Sequence, residues 1–492
     1  MLKMVDGTGI IGVDMVCPLG GAVSPPQPPN YDNVEMEGVG SLTLPNSLIA
    51  PLERVELIGN STQGENPAPD NPQEIKSAGR KSKNLFNISD LKNGLVQSDG
   101  TIKAVGVYKS IVLNIKEDGK YFITFKKNDE YDVLYFTTLY SSEIFSNPYI
   151  NIYPDVKGTI LLKKGRNILS FKAKKNGAEC PFINDYEIMI AAESETTDYE
   201  PYGYLFDVKV TGKNLLNLQK EPDVKGVYQG WKVGDGEKTI VLSIKDKGNN
   251  VDITKCSIGV SGNGINSNDG LGWIVQDGVI KRSEIKTINP YVSIYPSNET
   301  SVQKFLERFD IQAEYGEIAT PYEPYTEQTV QIALDEPLRG IGEYKDVLTK
   351  DGVVRRILEA PLVKYLKPVI NGNVGDRYVF AEVPNANINY DRKRCMSNVG
   401  FTNNAEKKKY VPHPYQFNFL IRIADDDTIE MVKEKIKDII VTYTAKEPIT
   451  EPLPESVQQQ LQALHSENGT THVFVDSGEV PCGIKLTYRK EK

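Results

Sequence analysis

The chain of 492 residues carries few side chains at spacings that support chemistry. Its three histidines, His413, His465 and His472, all fall near the C-terminal end. None has HExxH spacing and no GxSxG turn lies beside them, so neither a zinc-protease centre nor a nucleophile elbow is indicated. His465, on a glutamine-rich helical stretch, and His472, on a strand, read as ordinary surface or edge residues. Asp425, Asp426 and Asp427 invite a calcium or general-acid reading. They stand just ahead of a helix and lack the EF-hand pattern, so N-capping and dipole stabilisation, each worth about 0.5–1 kcal/mol, is the better reading. Glycoside hydrolysis needs two carboxylates facing each other across a sugar, and no cue singles out such a pair among the 66 acids. GTGIIG at 7–12 has glycines, but neither the preceding strand nor the spacing of a dinucleotide turn. Cys17, Cys180, Cys256, Cys395 and Cys482 stand singly with no CxxC, which points to reduced, mostly buried thiols rather than a zinc site or disulfide framework. The chain therefore reads as a non-enzyme with no metal-ligand set.

Aromatic residues remain. Trp231 and Trp273 are the two tryptophans. Trp231 follows GVYQG directly, and Trp273 lies in GLGWIV after the polar, glycine-rich SGNGINSNDG. Packing in a core is the default for both. The functional alternative is a flat apolar platform for a sugar ring at a loop-rich edge, and both are candidate glycan-binding residues on that ground.

The elements that must position them recur. KNLFN (83–87) returns as KNLLN (213–217), and GVY (106–108) as GVY (226–228). SIVLNI (110–115) returns as TIVLSI (239–244), NPYINIYP (147–154) as NPYVSIYP (289–296), and TDYEPYG (197–203) as TPYEPYT (320–326). Five landmarks in one order indicate a tandem duplication in which the two NPY phrases are equivalent. Each unit reads as short strands separated by DG, NG and KK turns, the pattern of a β-sandwich of jelly-roll type.

Outside the repeats, an apolar start and the linker SPPQPPN (24–30) precede alternating strands over 41–79. After them, EYKDVLTKDGVVRRIL (343–358) reads as a hairpin turning at Asp351-Gly352 in a type I′ turn. YQFNFLIRI (415–423) reads as one strand with Tyr415, Phe417, Phe419, Ile421 and Ile423 on one face. A helix capped near Asp427 buries Ile429, Val432, Ile436 and Ile439, and a second one aligns Val457, Leu461 and Leu464. THVFVDS and GIKLTYRK form a terminal strand pair. The expected fold is thus mainly β: tandem jelly-roll-like β-sandwiches followed by a smaller α+β C-terminal region. In order these are an arm at 1–34, a short β module at 35–80, sandwiches at 81–203 and 204–326, and the C-terminal region at 327–492.

Bulk properties bound the function. A composition 39% hydrophobic and 25% charged is that of a globular protein, and a net charge of −9 spread along the chain argues against a nucleic-acid binder. No run of 18 apolar residues occurs and the N-terminus does not read as a signal peptide, so neither membrane insertion nor secretion is expected.

APLERVELIGNSTQ (50–63), NPQEIKSAG (71–79), the KNLFN and KNLLN openings and the EYGEIATPYEPYT closing (314–326) resemble a modular family of virion proteins. These are tail, baseplate and fibre components of phages infecting Gram-positive bacteria. DGVVRRI, the stretch from DDTIEM to LQALHS, and the final LTYRK resemble the C-terminal architecture of the same family. The resemblance covers about residues 35–492 and brings no catalytic motif. It implies a structural or host-recognition protein with carbohydrate-binding-like jelly rolls: a tail-fibre or baseplate component contacting host cell-wall carbohydrate. Its partners would be other virion proteins and copies of itself, a trimer being favoured, and its place the virion. Such sandwiches often carry calcium, and the loops are acidic enough for a structural ion. A head or neck fibre or decoration protein is the alternative, and a wall-polysaccharide depolymerase a second one.

Overall fold

The computed structural model describes residues 31–491, together with 5–6 and 9–10, except 94, 97–101, 104–108, 126–132, 141–149, 153–156, 176–177, 181–186, 196–197, 226–228, 249–256, 264–274, 277–278, 281–282, 296–301, 403–405 and 407. The fold is mainly β, and its sheets are antiparallel. Helices are short: Val302–Arg308, Ile429–Ile436 and Glu455–Ala463 among the described residues.

The hydrogen bonding groups the chain differently from a linear series of domains. A twelve-stranded sheet collects strands from 31–58, 80–81, 204–211, 327–361, 395–397 and 440–491. The short β module and the C-terminal region are therefore parts of one sheet, with a common core that includes Leu44, Leu57, Phe206, Ile332, Leu461 and Ile484. Both sandwiches leave this sheet and return to it. Strand Arg80–Lys81 pairs with Tyr204–Thr211, so residues 82–203 close a loop between neighbours. Tyr204–Thr211 also pairs along its full length with Glu327–Leu334, setting Thr211 opposite Glu327, so residues 212–326 do the same. The two final strands, Gly469–Asp476 and Gly483–Glu491, do not pair with each other. Ser41–Ser47 lies between them, because a chain segment more than four hundred residues earlier supplies the missing edge.

Inside the sandwiches the repeat is real, and its register is set by two buried asparagines. The Asn84 amide donates to the Ile188 and Glu200 carbonyls and accepts the Phe86 and Ile190 N–H groups, all within 3.0 Å. Asn214 repeats the set with Ile311, Glu323, Leu216 and Ala313 at 3.1–3.2 Å. Each amide thus satisfies its bonding capacity and ties the KNL opening to the YEPY closing of its unit.

From these fixed points the pairing corrects two sequence equivalences. Ile190 faces Ile123 and Ala313 faces Leu242, so TIVLSI corresponds to the strand Gly119–Phe125, not to SIVLNI. SIVLNI instead takes the place of Gln229–Lys232, next to the long strand of its unit. That long strand, Ser283–Tyr295, pairs with Glu237–Asp246 and then with Gln229–Lys232 and Ser257–Asn263. The first unit performs the same crossing with two strands, Gly158–Leu162 and Gly165–Lys175. NPYVSIYP belongs to this crossing strand, where Asn289 takes φ 53° and bonds reciprocally with Gly236. The described part of NPYINIYP, Ile150–Ile152, is an outer strand paired with Val133–Tyr140. Residues 150–152 and 292–294 thus occupy different places, while 147–149 and 153–154, on which the equivalence of the two NPY triplets rests, lie outside the described residues.

Strands Gly352–Pro361 and Ile440–Pro452 run as a long pair from the central sheet and hold between them a smaller module. Its core includes Val379, Phe419, Ile421, Val432, Ile436 and Tyr443. YQFNFLIRI is not one strand: Pro412–Tyr415 and Asn418–Arg422 form a hairpin that turns at Gln416-Phe417, with Gln416 at φ 49°. Phe419, Ile421 and Ile423 go inward, while Phe417 is 57% exposed at the tip. The hairpin at 343–358 forms, with Leu348 opposite Val353. Its turn residues Lys350 and Asp351 do not take positive φ, so it is not type I′. Gly352 is needed for another reason: a Cβ there would lie 2.4 Å from the Glu451 carbonyl oxygen of the neighbouring strand. The helix Ile429–Ile436 is capped by Thr428, whose hydroxyl accepts the Met431 N–H, rather than by Asp427.

Candidate binding cleft

The candidate residues part company in the structure. Trp231 is 4% exposed in the core of the second sandwich, packed with residues such as Leu215, Val260 and Phe305. Its indole N–H donates to the Lys220 carbonyl at 2.9 Å. Buried in this way, the ring has no free face for a sugar; it anchors the loop that carries Lys220. Trp273 lies outside the described residues.

The loop that Trp231 holds forms one wall of a cleft of about 670 Å³ between the second sandwich and the central sheet. Strand alternation builds the opposite wall: Val208, Val330 and Val475 face the core of the sheet, leaving Asp207, Lys209, Gln331, Phe474 and Asp476 on the cleft side. Gln331 donates to Asp207 at 2.7 Å, and the Lys209 ammonium lies 5.4 Å from the centroid of the half-buried Phe474 ring. On the sandwich wall, Asp223 accepts the Lys232 N–H at 2.8 Å and pairs with the Lys220 ammonium at 3.2 Å. Burial opposes ionisation of Asp223, but the Lys232 amide and the Lys220 ammonium outweigh it and hold the carboxyl below its ordinary range. Lys232 also pairs with Asp235. The cleft thus offers ammonium groups, carboxylates, an amide and the rings of Phe474 and Tyr325 at close quarters, a lining suited to a ligand with many hydroxyls.

At the base of this junction His472 is 3% exposed, not a surface residue. Its Nδ1 lies 3.0 Å from the Thr43 hydroxyl, and the Tyr315 ring of the second sandwich meets it edge-on at 5.1 Å. Burial, aided by the Lys238 ammonium, pushes the imidazole down to about 4, and burial pushes the Tyr315 hydroxyl up to about 12. His465 bonds with Gln328 and His413 with the Thr402 carbonyl.

Asp427 is buried and accepts Ala424 N–H, the Tyr410 hydroxyl and the Lys435 ammonium, while Asp425 accepts Gly375 N–H. These carboxylates brace loops. Burial pushes the Asp346 carboxyl up, as a general acid requires, but the group is sealed inside and receives three backbone N–H groups, from Arg339, Arg356 and Ile357. Arg355, 2% exposed, lies beside it and donates to the Pro337 and Glu336 carbonyls and to Glu451. This charge cluster is structural. Among the described residues no group of three or more His, Cys, Asp or Glu is placed to hold a metal ion. Cys395 and Cys482 are free and buried, and burial pushes their thiols up to about 12 and about 11. No described helix is long and apolar enough to cross a membrane. Comparison with known proteins finds no matching family model and no matching curated protein.

Proposed function

We propose that the protein is a structural component of a phage virion, a tail-fibre or baseplate-associated subunit that contributes to attachment at host cell-surface glycan. The cleft between the second sandwich and the central sheet supports this reading most directly. It joins half-buried Phe474 to Asp207, Lys209, Gln331 and Asp223, groups that hydrogen-bond hydroxyls. Two sandwiches rooted in one sheet suit an appendage that presents surfaces away from its attachment point. Self-association, with a trimer favoured, would multiply weak single-site affinity by a factor on the order of 10²–10⁴ where geometry allows.

The test is adsorption of the purified chain to walls of the host of the phage that encodes it. Phe474→Ala and Trp273→Ala are each expected to weaken adsorption by roughly tenfold, in keeping with the loss of one aromatic contact. Adsorption unchanged by Phe474→Ala removes the cleft from the mechanism. Release of soluble sugar from purified wall polysaccharide would favour the depolymerase reading, and antibody labelling at the head or neck of the particle the decoration-protein reading. A stable monomer in light scattering at micromolar concentration counts against the trimer.

A further inference from the structure

The module held by the long strand pair turns one side of a three-stranded sheet inward and the other outward. Val379, Ala381, Phe419 and Ile421 enter its core. Alternation therefore places Tyr378, Phe380, Tyr415, His413, Asn418 and Arg422 on the opposite face, around the buried Leu420. There the rings form a connected series. Tyr378 meets Phe380 edge-on at 5.4 Å, Phe380 meets Tyr415 at 5.6 Å, and Tyr415 meets Tyr390 edge-on at 5.0 Å. Tyr390 is 50% exposed.

The backbone that presents these rings is strained. Asn389 and Tyr390 take φ 45° and 59° in succession, and Gln416 takes 49°. The Asn389 N–H donates to the Gln416 carbonyl at 2.6 Å, which locks the two turns together. A bulky ring in the left-handed region is disfavoured unless its surroundings hold it there. That conformation sets the half-exposed Tyr390 ring edge-on against Tyr415 at the end of the series. The charge balance narrows the ligand. Arg422 is engaged by Asp376, which leaves an anionic polymer a poor match for the face. His413 places Nδ1 3.0 Å from the Thr402 carbonyl oxygen, while its buried Nε2 has no hydrogen-bond partner among the described residues.

We propose that the series Tyr378–Phe380–Tyr415–Tyr390 is a stacking platform for the sugar rings of a neutral polysaccharide. The C–H face of a pyranose is apolar and packs on aromatic faces, while its hydroxyls need donors and acceptors at the rim. The Asn418 amide and the Tyr378 and Tyr415 hydroxyls supply them. The proposal takes glycan recognition as the role of the protein but uses none of the cleft residues, and the module lies apart in sequence from both sandwiches.

Calorimetric titration of the full chain with chitohexaose, cellohexaose and maltohexaose tests it, with polygalacturonate as the charged control. At least one neutral hexasaccharide is expected to bind in the millimolar range or tighter, and the control not to compete. Tyr415→Ala is expected to weaken binding roughly tenfold, and Tyr390→Phe to retain it. Tyr390→Gly separates binding from folding, because glycine relieves the strained φ: the melting temperature should hold or rise while sugar binding falls roughly tenfold. The platform is overturned if no neutral hexasaccharide binds the wild type, or if Tyr390→Gly binds as the wild type does. It is equally overturned if Tyr390→Gly alters only the oligomeric state, which would make this face a contact between copies. Wild-type adsorption to host walls that persists while these titrations fail removes the platform alone. Absence of wild-type adsorption removes the broader glycan reading.

Discussion

Trp231 and His472 show how burial converts residue types associated with function into supports. Trp231 fills the core of the second sandwich and fixes the Lys220 carbonyl. Trp231→Ala should destabilise that sandwich by about 3–5 kcal/mol, through lost burial and the cavity left behind. Hydrogen exchange would locate the loss in residues 213–325, with the first sandwich unchanged; a well-folded variant that only lost ligand affinity would contradict the core assignment. His472 makes a separate prediction about pH. Its folded value lies near 4, against an ordinary 6.5, so the unfolded chain takes up a proton first on acidification. The stabilisation from keeping this ring neutral is therefore complete above pH 6.5 and is lost as pH falls toward 4, to a limit of about 3 kcal/mol. Urea midpoints measured across this window should fall for the wild type and change less for His472→Phe. Identical slopes would show that this imidazole does not control the junction.

At the level of elements, the buried asparagines and the charge cluster carry the stronger tests. Asn84→Ala leaves the Ile188 and Glu200 carbonyls and the Phe86 and Ile190 amides without their partner. Each buried group so orphaned costs about 1–3 kcal/mol, and local relaxation recovers part of the sum. The expected result is loss of the first sandwich's cooperative transition, with Asn214→Ala doing the same only to the second. If either substitution unfolds both units together, the sandwiches are not independent. Arg355→Ala should cost about 3–5 kcal/mol, because it leaves Asp346 as a buried charge without its neighbouring guanidinium. Thermal melting of the central sheet is the readout, and a change within experimental error would mean that the three backbone N–H groups suffice for Asp346.

Considered whole, the molecule is a central sheet with inserted units rather than a string of beads. Thr211 and Glu327 are cross-strand neighbours, so the second sandwich begins and ends at one place on the sheet. Replacing residues 212–326 by a short glycine linker should therefore leave the sheet folded, since a tight connection between paired strands carries a small closure cost. The remaining protein should melt cooperatively but lose the Tyr315 contact to His472 and the sandwich wall of the cleft. Failure of the shortened chain to fold would show that the sheet depends on the second sandwich for its core. Insertion also explains why the cleft exists. A unit held at both ends packs against its own base, and the incomplete fit between the two surfaces is the space lined by Phe474 and Asp223.

Several features were legible in the sequence because they depend on neighbours along the chain. Period-two apolar runs marked the strands, Asp351-Gly352 marked the hairpin, and the spacing of Val432 and Ile436 marked a helix face. KNL and YEPY were correctly joined as the limits of a repeat, since the same amide chemistry closes each unit. The apolar alternation in the NPY phrases did not fix their place: Ile150–Ile152 is an outer strand and Val292–Ile294 part of a long crossing strand, and those phrases lie further apart than the other landmarks. Tertiary structure alone decided the rest. Whether Trp231 faces solvent depends on the helix and the strand that pack around it from residues 302–315. The central sheet depends on pairings such as Ser41–Ser47 with Gly469–Asp476, whose partners are chosen by edge complementarity and shared burial, not by any local period. The cleft and the tyrosine platform follow from those long-range choices, because a binding surface is assembled from side chains that only the complete fold brings together.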